Sequence, residues 1–274
     1  MLKRSITGAF YVAVMVAFFL LRELLDARLF HIFTCFLVIA GTVEIVNALK
    51  NYLDKNLRIT AIVCASLIVP CYCAFEYLVA HFLGLVASLG IILIGSIIAV
   101  LYSVIKKSSF KQTAVAILPF IYPSLFLVFM LLANDGAHGF IVLLLSFVVS
   151  PLSDTFAYLV GSLIGGKKLC PKLSPKKTWS GAIGGTVGGV VGAIVVYFIF
   201  MPTVNFCSPA LWFGLVGFTA SIVNIFGDLF ESYIKRKVGI KDMGKILPGH
   251  GGVMDRIDGT LFAVVWIYLL FLFV

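Results

Sequence analysis

Charge is what this sequence has least of. Only 12% of its 274 residues are Asp, Glu, Lys or Arg, and the acidic ones number just 12, against roughly 25% charged residues in an ordinary soluble domain. Apolar residues make up 61% of the chain, so composition excludes a water-surrounded globular fold. Cysteine offers no metal or disulfide framework. Cys35, Cys64, Cys71, Cys73, Cys170 and Cys207 lie mostly inside apolar runs, none with metal-ligand spacing to a histidine. They read as small buried hydrophobes. A cleavage site is missing too. The apolar run Ile6 to Leu21 behind Lys3 and Arg4 looks like a leader, but no small-residue site precedes the charges at Arg22 to Arg28. It is expected to stay as the first helix. The net charge of +9 is scattered between apolar runs rather than gathered on one face, which argues against a nucleic-acid partner.

What is abundant is hydrocarbon in long runs. A span needs about 20 residues to cross roughly 30 Å of bilayer, and the chain offers nine candidates near 6–22, 29–49, 59–77, 82–105, 113–133, 138–164, 181–201, 208–234 and 257–274. Pro151, close to Asp154 in the sixth, removes a helical hydrogen bond and invites a kink or break. The fold class expected is all-α: a polytopic integral membrane protein of about nine transmembrane helices. Residues 1–110 would form N-terminal spans, and 111–274 a catalytic region with loops at 165–180 and 235–256. With nine spans, 19 of the 21 lysines and arginines fall on one side, leaving only Arg22 and Arg28 on the other. The positive-inside rule then puts the N-terminus and both long loops in the cytoplasm, with the C-terminus outside.

Few as they are, the acids are informative. Glu23, Asp26, Asp54, Glu76, Asp135 and Asp242 are expected in or near solvated loops. Glu44, Asp154, Asp228, Glu231 and Asp258 fall within or at the ends of spans, where a carboxylate is costly and is kept for a reason. For Glu44, near the cytoplasmic end of the second span, snorkelling or helix packing is reason enough. Asp228, Glu231 and Lys235 share a helix face at i, i+3 and i+7, so Glu231 and Lys235 can pair while Asp228 cannot join them. Asp255 and Asp258 repeat the spacing of three, with Arg256 between them. Two such pairs on consecutive helices could converge on a hard cation carrying a nucleotide phosphate. A proton relay or buried ion pairs are the other readings.

Two loops have the makings of phosphate sites. One runs from Lys235, Arg236 and Lys237 through Lys241 to Pro248-Gly249-His250-Gly251-Gly252. There, glycines let backbone N–H groups approach an anion that the cations neutralise. The other carries Ser174, Lys176, Lys177 and Thr178 into a helix N-terminus, where anions are favoured. Its lysines are equally ordinary positive-inside charge facing lipid headgroups. His250 is a candidate acid, base or phosphate ligand, whereas His31, His81 and His138 lie near outer span ends. The glycines from Gly181 to Gly192 suit close helix packing.

The run Ser232-Tyr233-Ile234-Lys235-Arg236, then Lys241-Asp242, then Leu247-Pro248-Gly249-His250-Gly251-Gly252-Val253-Met254-Asp255-Arg256-Ile257-Asp258 resembles the signature of the phosphatidate cytidylyltransferase family. So do Ser153-Asp154-Thr155, Ser174-Pro175-Lys176-Lys177-Thr178-Trp179 and Gly227-Asp228-Leu229. Ser180 departs from the pattern, since the family commonly has glutamate there. The resemblance covers most of 150–260, while the first half matches only as a string of apolar helices.

That resemblance implies CTP and phosphatidic acid as substrates, CDP-diacylglycerol and pyrophosphate as products, and a site at the cytoplasmic face of the cell membrane. It assigns Asp228, Asp255 and Asp258 to Mg²⁺. Lys235, Arg236, Lys241, Lys176, Lys177 and Arg256 would meet phosphates, and Ser174 and Thr178 would donate hydrogen bonds. Asp154 and Glu231 belong to the same acidic cluster, and His250 completes the catalytic set. The lipid bilayer is the implied partner, and a homodimer is left open. Two rivals remain at this point: a CTP-dependent kinase of a polyprenol or other lipid alcohol, with Asp154 or His250 as base, and a cation-coupled transporter.

Overall fold

The computed structural model describes residues 2–274 apart from 81, 205, 207, 248 and 250, with side chains from Gly8 onward. His250, together with His81 and Cys207, thus lies outside the described residues. The chain is an all-α, multi-pass membrane protein. Its helices are α1 (Leu2–Leu24), α2 (Leu29–Ala48), α3 (Lys55–Leu78), α4 (Leu83–Ile105), α5 (Phe110–Pro119), α6 (Phe126–Asp135), α7 (Gly139–Ile164), α8 (Trp179–Phe200), α9 (Pro209–Val238) and α10 (Met254–Phe271). Among the described residues, seven segments are long and apolar enough to cross a membrane: α2, α3, α4, the continuous stretch Phe110–Asp135, α7, α8 and α9.

Of the kink or break expected at Pro151, no break occurs, and α7 runs through it. The break lies instead in the stretch Phe110–Asp135, where a π-helical turn, Phe120–Leu125, joins α5 to α6. Pro119 and Pro123 withhold two N–H groups there, and Tyr122 leaves helical geometry at φ −123° and ψ 112°. Ser124 Oγ donates to the Pro119 carbonyl at 3.1 Å, recovering an acceptor that the break frees inside the apolar zone.

Packing groups the chain into two compact units, 1–135 with 240–256, and 136–239 with 257–274. In the first, α2 packs against α1, α3, α6 and the π-helical turn. Its core includes Phe30, Phe33, Leu37 and Ile45, all but fully buried. His31, near the start of α2, is also buried, 3.2 Å from the Asp135 carboxylate. Asp135, exposed at the end of α6, in turn accepts from the hydroxyls of Tyr72 and Tyr77 at 3.0 and 2.8 Å, so this acid ties α6 to α3 as well.

In the second unit, α8 lies against α7 and α9. Its glycines make this approach possible: a Cβ on Gly184 would collide with Val160, on Gly188 with Phe156, and on Gly189 with Ser221. Between α7 and α8 the chain forms a β-hairpin, β1 (Lys168–Cys170) antiparallel to β2 (Ser174–Thr178), rather than a plain loop. Thr178 then caps α8, its Oγ1 accepting from Gly181 N–H at 3.0 Å.

Candidate active site

The second unit gathers carboxylates from three helices. Gly227 on α9 has no room for a Cβ against the Asp258 carbonyl and Gly259, so α9 and α10 meet backbone to backbone beside Asp228 and Asp258. A Cβ on Gly259 would in turn strike Asn224. Asn224, fully buried, donates from Nδ2 to Asp154 Oδ1 of α7 at 3.0 Å and accepts the Ser150 hydroxyl. The carboxylates of Glu231, Asp228 and Asp154 are the charges bearing most strongly on Asp258. The Asp258 carboxylate also accepts its neighbour Gly259 N–H at 2.8 Å.

Two lysines answer this charge. Lys235 Nζ lies 2.9 Å from Glu231 Oε1, the i, i+4 pair expected from spacing, with Glu231 wholly buried. Lys177 of β2 forms an ion pair with Asp228 Oδ2. That supplies the partner that α9 alone could not, and Ser232 Oγ adds a hydrogen bond to Asp228 at 3.3 Å. The hairpin therefore delivers a specific cation as well as general surface charge. Lys176 beside it is exposed. Ser174 starts β2, and Thr178 is spent in capping. Ser180 hydrogen-bonds to the Gly165 carbonyl and to Thr178, a local closing role. Arg236, exposed at the end of α9, donates to the Leu173 carbonyl of the hairpin at 3.3 Å.

The remaining members of the expected set belong to the first unit. Asp255 accepts from the N–H groups of Met243 at 2.9 Å and Gly252 at 2.7 Å, tying those two positions to its carboxylate. Leu247 and Gly251 form an antiparallel bridge, and Gly251 takes φ +87°, a conformation suited to glycine. Glu44 is 3% exposed and does not snorkel. Its Oε1 accepts Val253 N–H and its Oε2 accepts Met254 N–H, both at 2.9 Å. Lys241 and Arg256 are exposed on this loop.

Among the described residues, no three Asp, Glu, His or Cys side chains stand close enough together to hold a metal ion as they are placed. The donor chemistry of the second unit is nonetheless that of a hard cation: carboxylate oxygens on rigid helices, beside lysines suited to phosphate. Sequence reasoning missed Asn224 and Ser150. The available signal was a carboxamide in an apolar span, one turn before Asp228 on the face shared with Glu231 and Lys235.

The family model described as "Cytidylyltransferase family" matches residues 2–274. A Helicobacter pylori protein named phosphatidate cytidylyltransferase is 42% identical over 160 residues, 58% of this chain and 57% of that one. Relatives of the same name from Brucella abortus and Staphylococcus haemolyticus are each 38% identical, over 139 and 172 residues. Those matches cover 51% and 62% of this chain, and 50% and 64% of the relatives. The chain thus spans a little over half the length of the named relatives it matches.

Proposed function

Because the chain belongs to the cytidylyltransferase family, we propose that it transfers the cytidylyl group of CTP to phosphatidic acid, giving CDP-diacylglycerol and pyrophosphate. The observation that carries this reading is the cluster of Asp154, Asp228, Glu231 and Asp258 facing Lys177 and Lys235. Relatives named for the same reaction support it.

In this reaction a lipid phosphate oxygen bonds to the α-phosphorus of CTP while the bond from that phosphorus to the bridging oxygen of pyrophosphate breaks. Phosphate monoesters are already ionised at neutral pH, so the protein need not remove a proton from the nucleophile. Its task is to hold two anions together and to receive a third as leaving group. Lys177 would exchange Asp228 for a phosphate oxygen when nucleotide enters. Lys235, fixed by Glu231, would hold a second. Asn224, anchored by Ser150, keeps the Asp154 carboxylate from turning away.

The carboxylates fit Mg²⁺, which typically binds one or two protein carboxylates plus substrate phosphates rather than a complete protein cage. Asp228 and Asp258 would hold it. Bound there, it would screen the triphosphate charge against the incoming lipid phosphate. Asp255, expected from the resemblance and its spacing as a third ligand, has its carboxylate engaged by loop amides, and we read it as organising that loop.

We also infer nine spans with the N-terminus in the cytoplasm, from the side on which lysine and arginine collect. One assay tests reaction and sidedness together. With phosphatidic acid and Mg²⁺ present, CTP added to sealed inside-out vesicles should give CDP-diacylglycerol and pyrophosphate in equal amounts. CTP added to right-side-out vesicles should give neither. Equal turnover in both preparations contradicts the orientation, and CDP release in place of pyrophosphate contradicts the reaction.

A further inference from the structure

We propose that Glu44, some 200 residues away in the chain, is the positioning residue for the 240–256 loop, holding it by the first amides of α10. The inference rests on the functional reading above for its effect on turnover. Its structural part stands alone. The first N–H groups of a helix have no partner within the helix, and a carboxylate meets both their hydrogen-bonding need and the positive end of the helix dipole. Glu44 does so with both oxygens, one on Val253 N–H and one on Met254 N–H.

Three further features show that the contact is built. Gly244 and Gly252 both press against the Glu44 carboxyl, and a Cβ on either would overlap it, so the loop encloses the acid from two sides. Gly41, one turn before Glu44 on α2, lies against the Met254 side chain and Pro123 of the π-helical turn. Asp255, next in the chain, holds the other end of the loop through Met243 and Gly252. Glu44 and Asp255 thus take successive amides of one short segment, 252 to 254, and leave its conformation little freedom.

A consequence follows for phosphate recognition. A free helix N-terminus is a ready anion site. Here the protein's own carboxylate fills that place, so Val253 and Met254 do not offer their amides to a ligand. Phosphate contacts from this loop would come from other groups, and its Lys241 and Arg256 side chains are exposed. Glu44 would act on the reaction by fixing where those side chains start from, without touching substrate.

The test measures amide hydrogen exchange and steady-state kinetics on the full-length protein in lipid nanodiscs. Glutamine at position 44 keeps the length of the side chain but offers one acceptor where two N–H groups need one each. In Glu44→Gln, exchange at 252–254 should quicken about tenfold or more, as expected when a charge-assisted hydrogen bond is lost. Peptides from α3 and α4 should keep wild-type protection. The kcat should fall roughly tenfold to thirtyfold with KM for CTP changed less than about threefold, the sign of lost positioning rather than lost binding. Gly252→Ala displaces the carboxyl from the other side and should give the same pattern with Glu44 intact. Wild-type exchange at 252–254 in Glu44→Gln overturns the inference. So does faster exchange with an unchanged kcat. If the wild type makes no CDP-diacylglycerol, the functional reading falls, and exchange alone then decides whether Glu44 is the anchor.

Discussion

Replacing Asp258 with asparagine is expected to lower CDP-diacylglycerol formation about a thousandfold while leaving the protein folded and membrane-inserted. Losses of 10²–10³ are typical when one preorganised charge is removed from a site of developing charge. The Asp258 carboxylate lies among those of Glu231, Asp228 and Asp154. Like charges held together favour the folded state only when something else compensates them. Asparagine keeps the shape and an oxygen for Gly259 N–H, and it removes a largely buried carboxylate that Glu231, Asp228 and Asp154 oppose. Thermal stability without nucleotide should therefore hold or rise as activity falls. That opposition of signs separates a functional carboxylate from a structural one, whose loss lowers both. Less than a tenfold drop in turnover, or a clear fall in melting temperature, contradicts the assignment.

Lys177→Met should have the next largest effect, a loss of about a hundredfold in turnover. Lys177 reaches Asp228 from the hairpin, with 23% and 25% of the two side chains exposed. Exposure of that degree makes the ion pair a weak stabiliser, so the fold should tolerate its loss. If lysine and Mg²⁺ compete for Asp228, removing the lysine should reduce the Mg²⁺ concentration needed for half-maximal rate even as the rate itself falls. Lys172→Met provides the control. Lys172 sits in the turn of the same hairpin and is exposed, and its change should alter turnover less than about threefold. Equal losses in the two variants would mean that the hairpin contributes only general positive charge.

The long apolar helices were legible because apolar runs are a local signal. A span expected at 82–105 is α4, Leu83–Ile105, and one expected at 138–164 is α7, Gly139–Ile164. The Glu231–Lys235 pair was equally legible, since both residues share one helix face at i, i+4. What stayed hidden depends on partners distant in the chain. Nothing near Asp228 names Lys177, 51 residues away, and nothing near Glu44 names Val253, 209 residues away. Proline alone did not tell a kink from a break. Pro151 sits within an unbroken helix, whereas Pro119 and Pro123 together, four residues apart, open a π-helical turn. The β-hairpin escaped because its strands have three and five residues and are rich in lysine, without the alternation that marks a half-buried strand. Asn224 carried only a weak signal, its place one turn before Asp228, and its partners Asp154 and Ser150 on α7 lie 70 and 74 residues away.

The central claim is a choice of phosphorus, and isotope labelling of CTP reads it directly. Purified protein in nanodiscs is given phosphatidic acid, Mg²⁺ and CTP labelled at either the α- or the γ-phosphorus. Cytidylyl transfer predicts that α-label enters the lipid product and γ-label leaves as pyrophosphate. Appearance of the γ-label in lipid, with α-label released in CDP, would contradict the account and make the chain a lipid kinase.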